Sequence, residues 1–382
     1  MRAAMTSWLD AIHAVEALEV GHFDDDLVLA MQARGERAAG PDAGRINFYV
    51  PTFKAFATSE IRGCGKSAWP AISITGPACK LACDHCKAKL LQSMIAAPTP
   101  DALWRVVNEQ IEAGAQGMLL SGGSNHRDEV EYDPFLPVVR RIKDAFPAFK
   151  IAIHTALVDR DKARRIEESG VDAAMLDIIG AQDTVQQVYH LRRPVADFEA
   201  SLAALTETSL KVVPHIVVGL HYGRLLGEWN ALEMIARHRP AALVLVVIMP
   251  IYAPAHRPFE VPSSREVGRF FMDTRAALPD LPVLLGCARP PGRAKVEIDT
   301  YAVLAGLNGI AHPSDGTVEL AARVGRDVRV TPACCSIALG EEVMALDDGH
   351  DALSVDVREF VRREASQPRA GARLGDIPIV TA

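Results

Sequence analysis

Three cysteines in TGPACKLACDHCKAKLL, Cys79, Cys83 and Cys86, fall at CxxxCxxC spacing. A loop this short can wrap three thiolates around a cuboidal 4Fe–4S cluster, leaving the fourth iron without a protein ligand and open to a small molecule. Zinc is the chief metal competitor. Its structural sites are usually closed by a fourth nearby Cys or His, and His85, inside the loop, would have to fold back between two ligands to serve. The remaining reading is three buried cysteines placed so by chance. A second motif, LLSGGSN with Gly122, Gly123 and Ser124, counts against it. Adjacent glycines let a backbone approach a ligand closely and offer carbonyl and amide groups to a charged amine, although a strand-to-helix turn uses Gly–Gly for its own conformation too.

Composition narrows the setting of this chemistry. The 382-residue chain holds seven cysteines, an odd number, and its opening MRAAMTSWLDAIHAVEALEV lacks a charged-then-apolar signal with a cleavage site. A disulfide scaffold is therefore not expected. The expected compartment is the cytoplasm, where clustered cysteines are more often metal ligands or catalytic groups. Apolar residues at 49% and charged residues at 23% exclude disordered and fibrous classes. An acidic excess, 48 against 41 basic residues, and the lack of a long basic run argue against a nucleic-acid partner. No run of about eighteen apolar residues is present, so no membrane span is expected.

The elements that must position the cysteines are legible as a repeat. Short β-branched runs alternate with amphipathic stretches after Ala71, the pattern of a parallel sheet with crossover helices. Eight strands are expected: AISITG, GMLLSGG, KIAIHT, AAMLDIIG, KVVPHIVVGL, ALVLVVIMP, PVLLGC and GIAHP. Eight β/α repeats fit a closed (β/α)8 TIM-type barrel, an α/β fold whose ligand chemistry gathers at the C-terminal strand ends. Residues 1–70 read as a cap, with helices over 6–18 and 24–37 and then an irregular stretch, RINFYVPTFKAFATSEIRGCGKSAWP. Residues 71–313 form the barrel. Residues 314–382 form an extension contributing to the barrel mouth, with one amphipathic stretch near 353–364.

The cysteine spacing after the first barrel strand, with the Gly–Gly turn after the second, resembles the radical S-adenosylmethionine superfamily, across roughly residues 71–313. The resemblance implies that Cys79, Cys83 and Cys86 hold three irons while the amine and carboxylate of S-adenosylmethionine chelate the fourth. It puts His85 against the adenine side and brings the Gly122 and Gly123 backbone to the methionine amine. Ser124 stands where the family's acidic residue is usual. A guanidinium suits the methionine carboxylate; of Arg192 and Arg193, Arg193 aligns better with the arginine before the equivalent helix in biotin synthase. Val218 and Gly219 look like the family's adenine-binding turn. His154 joins this cofactor-binding set, whereas Thr155, Asp177, His215 and His312, which also end strands, are equally suited to satisfying loops.

Four cysteines remain: Cys64 before the first barrel strand, Cys287 ending the seventh, and Cys334 with Cys335 just beyond the eighth. All four can converge on one barrel mouth as ligands of a second iron–sulfur centre, with Ser336 as a further candidate; as free thiols they would be small core hydrophobes. Arg289 and Arg293 could bind a substrate carboxylate, tune the second centre or merely cap the seventh strand. LGCARPPGR, TPACCS and INFYVPTFKAF look most like the biotin-synthase-related proteins of the two-component lipoyl synthase system. That resemblance implies sulfur insertion into an octanoyl chain on a lipoyl carrier protein, with a paralogous radical protein as partner, an electron donor such as ferredoxin or flavodoxin, and the second cluster as sulfur source. The extra N-terminal cysteine motif and terminal Arg-Ser-Ser of ordinary lipoyl synthase are absent. The alternatives are a biotin-synthase-like or cofactor-maturation enzyme acting on a small molecule, and a non-catalytic iron–sulfur scaffold.

Overall fold

The computed structural model describes residues 7–35, 44–51, 58–61, 69–250, 253–254, 256–331 and 333–337. All eight expected strands form, within an eleven-stranded, entirely parallel, curled sheet. In chain order the strands are β1 (Arg45–Tyr49), β2 (Ala71–Ser73), β3 (Ile95–Ala96), β4 (Gly117–Ser121), β5 (Lys150–His154), β6 (Ala173–Asp177), β7 (Lys211–Val218), β8 (Leu243–Val247), β9 (Val283–Leu285), β10 (Gly309–Ala311) and β11 (Asp327–Thr331). The hydrogen-bonded order is β11-β1-β10-β9-β8-β7-β6-β5-β4-β2-β3. The eight expected strands therefore form a TIM-type α/β wall from β2 to β10, flanked by β3 and by β1 and β11, and among the described residues no pairing joins β11 to β3, so the barrel expected to close is not closed by its ladder.

Two expectations about the flanks need correction. The stretch read as irregular begins with a strand: β1 pairs with β10 on one side and β11 on the other, Phe48 opposite both Ile310 and Val330. Its Arg and Asn hide the strand from a composition reading, yet Ile46 and Phe48 are fully buried. β11 lies inside the expected C-terminal extension. The divisions at 70 and 314 thus cut through one continuous sheet. The two N-terminal helices form at Trp8–His13 and Asp25–Gly35, close to expectation. The stretch 353–364 lies outside the described residues.

Alternation along the strands builds two apolar layers. Ile151 and Ile153 of β5 join the large cluster between sheet and helices, while Ala152 belongs to an inner cluster with Ala173, Met175, Val213, Val244 and Leu284. Parallel strands buried on both faces are expected to be apolar nearly throughout, as β6 is until its last residue. The intervening helices start on local signals. Thr99 accepts from Ala102 N and Asp159 from Lys162 N, and Ser263 with Glu266 forms a reciprocal capping box. Among the described residues no helix is long and apolar enough to cross a membrane.

Candidate functional site at the C-terminal end of the sheet

Because every strand runs parallel, the segments following β2, β4, β5, β6, β7, β9 and β11 emerge at one end. The cysteine loop follows β2 and makes tight reversals, with Gly76, Ala82, Lys87 and Ala88 at positive φ. It is fastened first to the turn after β4. Thr75 Oγ1 accepts from Gly123 N at 2.7 Å and donates to Ala78 O at 2.8 Å. Ser124 O accepts from Lys80 N at 2.9 Å, and Cys79 Sγ lies 3.7 Å from the same oxygen. A Cβ on Gly123 would stand 2.0 Å from Ala78 O and 2.6 Å from Cys79 Cα. The second glycine of the pair is therefore required by the approach of the cysteine loop itself.

A second fastening runs through Asp84, between two of the cysteines. This buried carboxylate accepts from Lys87 Nζ at 2.6 Å and Tyr222 OH at 2.9 Å, and stands 3.0 Å from His190 Nε2. Burial alone would raise its pKa, but these three partners outweigh it and hold the group at about 2. Tyr222 is itself held: its hydroxyl lies 2.8 Å from Gln187 O, and the Arg257 guanidinium sits 3.9 Å over its ring. The sequence reading gave neither Asp84 nor Tyr222 a role. The available signal was an acidic residue set between two potential anionic ligands, a position that calls for cationic partners.

The thiol environment tests whether a cluster fits. Burial pushes the Cys83 thiol well above its ordinary range and Cys86 up to about 11, with neighbouring cysteines adding to both shifts. Three thiols in one short loop suit a cationic iron centre, which favours their thiolate forms and offsets the repulsion between them. Among the described residues no three His, Cys, Asp or Glu side chains are placed to hold a single ion. A cuboidal cluster asks for a different arrangement, one thiolate to each of three irons. The donor set Cys79, Cys83 and Cys86 is chemically suited to such a cluster and would be the residues to hold it.

The neighbouring strand ends carry polar groups. His154 Nε2 and Asp177 Oδ1 stand 3.8 Å apart, and the His154 and His215 rings lie 5.8 Å apart. His85 stacks at 5.1 Å on Tyr189, whose hydroxyl is 3.5 Å from Asp177 Oδ2; His85 Nδ1 is buried without a hydrogen-bond partner. Asp128 is raised to about 6 by burial, against a bond from Ser124. Val218 is buried, and Gly219, at φ +80°, donates its N–H to the buried Glu228 carboxylate at 2.8 Å. Arg193 is engaged within the chain: Nε donates to Asp197 at 2.6 Å and Nη1 to Glu129 at 3.2 Å. A ligand carboxylate would share that guanidinium with two others. Arg192 is exposed.

Of the second cysteine set, Cys64 lies outside the described residues. Cys287, Cys334 and Cys335 all join the inner cluster, close enough for Cys335 to feel the charges of both others. A hydrogen bond from Cys335 pulls the Cys334 thiol down. Arg289 departs from the expected substrate contact. It is wholly buried, ion-paired with Asp299, and donates to Asp299 Oδ2 at 3.0 Å, Gly286 O at 2.7 Å and His312 O at 2.8 Å. Its donors are spent joining the ends of β9 and β10 to the helix Arg293–Leu304. Arg293 is largely exposed and lies 3.4 Å from Glu297. His312 serves the same junction, with Nε2 at 3.0 Å from Pro51 O, and Thr155 Oγ1 bonds Ala156 O at 2.9 Å. Ser336 is buried beside Cys335.

Residues 73–224, which span the cysteine loop, the glycine pair and the turn after β7, match the model of the Radical SAM superfamily. Among solved structures the chain is similar to HydG, a maturase of the FeFe-hydrogenase, at 15% identity and a TM-score of 0.51, over 81% of this chain and 69% of that one. It is similar also to methylornithine synthase (PylB), at 12% identity and a TM-score of 0.48, over 81% of this chain and 87% of that one. No curated protein matches. At such identities the likeness to HydG concerns the fold alone.

Proposed function

We propose that this chain, which carries a radical SAM superfamily domain over residues 73–224, inserts sulfur into an octanoyl chain borne by a lipoyl carrier protein. The observation that carries the reading is the gathering of a second cysteine set, Cys287, Cys334 and Cys335, on the inner wall at the same end of the sheet as the Cys79, Cys83, Cys86 loop. Sulfur insertion gives that set a use, as the holder of a sulfur source.

A cluster held by Cys79, Cys83 and Cys86 would, once reduced, supply the electron for cleaving S-adenosylmethionine to a 5′-deoxyadenosyl radical able to abstract hydrogen from an unactivated carbon. The protein's share is placement. Thr75 and Ser124 fix the Cys79 arm, Asp84 and Tyr222 fix the middle of the loop, and Gly219 shapes the turn proposed to receive adenine. Gly122, Gly123 and Ser124 bring backbone to the methionine side, with Arg193 near its carboxylate. The second cysteine set, with Cys64, would hold the cluster that serves as sulfur source. A paralogous radical protein as partner and a ferredoxin or flavodoxin as donor belong to the same proposal.

The test is anaerobic turnover of the reconstituted protein with reductant, S-adenosylmethionine, the paralogous partner and an octanoylated peptide. A thiolated peptide is expected by mass spectrometry. Formation of 5′-deoxyadenosine with no thiolated product would reject sulfur insertion while leaving the radical chemistry standing.

A further inference from the structure

Away from the strand ends, a recess of about 300 Å³ lies between the two N-terminal helices. Leu9, Ile12, Leu18 and Phe23 floor it, Ile12 and Leu18 being buried. Its apolar character continues outward: Val20, between the lining residues Glu19 and Gly21, is 59% exposed, and Leu29, one turn along the helix from the lining Asp25, is 49% exposed. Large apolar side chains exposed around an apolar recess mark a binding surface. The recess is preformed. Trp8 N donates to Gln32 Oε1 at 3.0 Å between the two helices, His22 N to Glu297 at 2.8 Å and Asp24 N to Tyr301 OH at 2.8 Å.

Charge specifies the occupant. Residues 3–33 carry six carboxylates and no lysine or arginine. Asp24 is spent on Arg265, at 2.7 Å. Asp10, Glu16, Glu19, Asp25 and Asp26 are exposed, and among the described residues none of them pairs with a cation. Glu19 and Asp25 stand on the rim of the recess itself, with His13 and His22. The complementary sequence is in the same chain, beyond the described residues. Residues 357–373, VREFVRREASQPRAGAR, hold five arginines against two glutamates. Leu353, Val357, Phe360 and Val361 recur there at the spacing of one helix face.

We infer that the recess is the docking site of this chain's own segment 353–373, with Phe360 and its apolar neighbours on the floor and Arg358, Arg362 and Arg363 toward Glu19 and Asp25. The segment can reach it. Residues 338–352 separate it from the buried Ile337, a linker of roughly 50 Å when extended. The elements to be bridged are neighbours: the helix Thr317–Arg323 packs on both β11 and the helix Trp8–His13, and Gly316 ahead of it lies against Val15 and Leu18. Ion pairs on an exposed rim are individually weak, so the apolar floor anchors the segment and the charges select it. Docking fastens the chain beyond Cys334 and Cys335 at a second point, whatever reaction the protein performs.

The test is hydrogen–deuterium exchange of the full-length protein, read by mass spectrometry over peptides spanning 353–364. These amides are expected to exchange about tenfold or more slowly than the same sequence as a free synthetic peptide. Reversing the rim with Glu19→Lys and Asp25→Lys, both at exposed positions, is expected to speed that exchange about tenfold, and Phe360→Ser by at least as much. Adding Arg358→Glu, Arg362→Glu and Arg363→Glu to the reversed rim is expected to restore most of the protection. Wild-type exchange as fast as the free peptide would overturn the inference and leave the recess to a basic partner protein. So would protection unmoved by the reversed rim, no recovery in the combined variant, or protection that falls on dilution, which would make the occupant a second copy. The wild-type comparison stands even if a variant fails to fold.

Discussion

The Tyr222 hydroxyl donates to Asp84 Oδ2 at 2.9 Å, joining the turn after β7 to the cysteine loop after β2 across 138 positions of sequence. The two halves of the proposed cofactor site are thereby one mechanical unit. Tyr222→Phe removes a donor from a buried carboxylate, a loss of about 1.5–3 kcal/mol. S-adenosylmethionine affinity is expected to fall several-fold while most iron is retained, since Lys87 and His190 still hold Asp84. Equilibrium binding beside iron quantitation checks this.

Gly123→Ala acts on the other fastening. The added methyl would meet Ala78 O and the Cys79 backbone, neither of which can swing aside as a side-chain tip would. Displacement of the Cys79 arm is expected to cut iron content after reconstitution by more than half. Gly122→Ala, whose Cβ meets side-chain carbons of Ile74 and Val130, is expected to cost less.

The Arg289–Asp299 pair is predicted to matter for folding. Ser314 N also donates to Asp299, at 2.7 Å, so the carboxylate holds several elements together. Asp299→Ala leaves a buried guanidinium uncompensated, a loss of about 3–5 kcal/mol. Urea unfolding of the variant is expected to show that loss. An unchanged midpoint with a raised KM would instead restore the substrate role that the sequence reading gave Arg289.

Glu60 imposes a pH dependence. It caps the helix Thr317–Arg323, accepting from Gly316 N at 2.9 Å and Glu319 N at 2.6 Å. Burial nevertheless raises it from 4.5 to about 7. With the folded pKa raised, the native state binds more protons than the unfolded chain between these values. Its contribution is complete below about 4.5 and is lost as pH rises through 7, on the order of 3 kcal/mol in all. The variant Glu60→Gln, neutral throughout, is expected to show a flatter stability profile between pH 5 and 8, read by denaturant titration.

The eight barrel strands were legible because each is a short β-branched run closed by Gly, His, Cys, Asp or Pro. β1 and β11 were not, since Arg45 and Asn47 interrupt one and Asp327 and Arg329 the other, and both are defined by pairing with distant chain. Within the site, the cysteine spacing and glycine pair are local patterns and could be read directly. Asp84, Tyr222 and Thr75 act through partners far away in sequence and carry no local signature. For Arg289 the readings of substrate contact and strand cap could not be separated locally, because its partner, Asp299, sits in a helix ten residues later and is wholly buried. Glu297 and Asp299 are both buried in that helix, and a buried carboxylate there was the signal that a cation had to meet it.

The central claim is that two cysteine sets at one end of a single sheet hold two separate clusters. The most direct measurement is the Mössbauer-resolved iron count of the anaerobically reconstituted Cys79/Cys83/Cys86 triple alanine variant. The account predicts about four irons retained, lost when Cys287, Cys334 or Cys335 is replaced as well. No iron in the triple variant, with its fold intact, would contradict the second cluster and the sulfur insertion built on it.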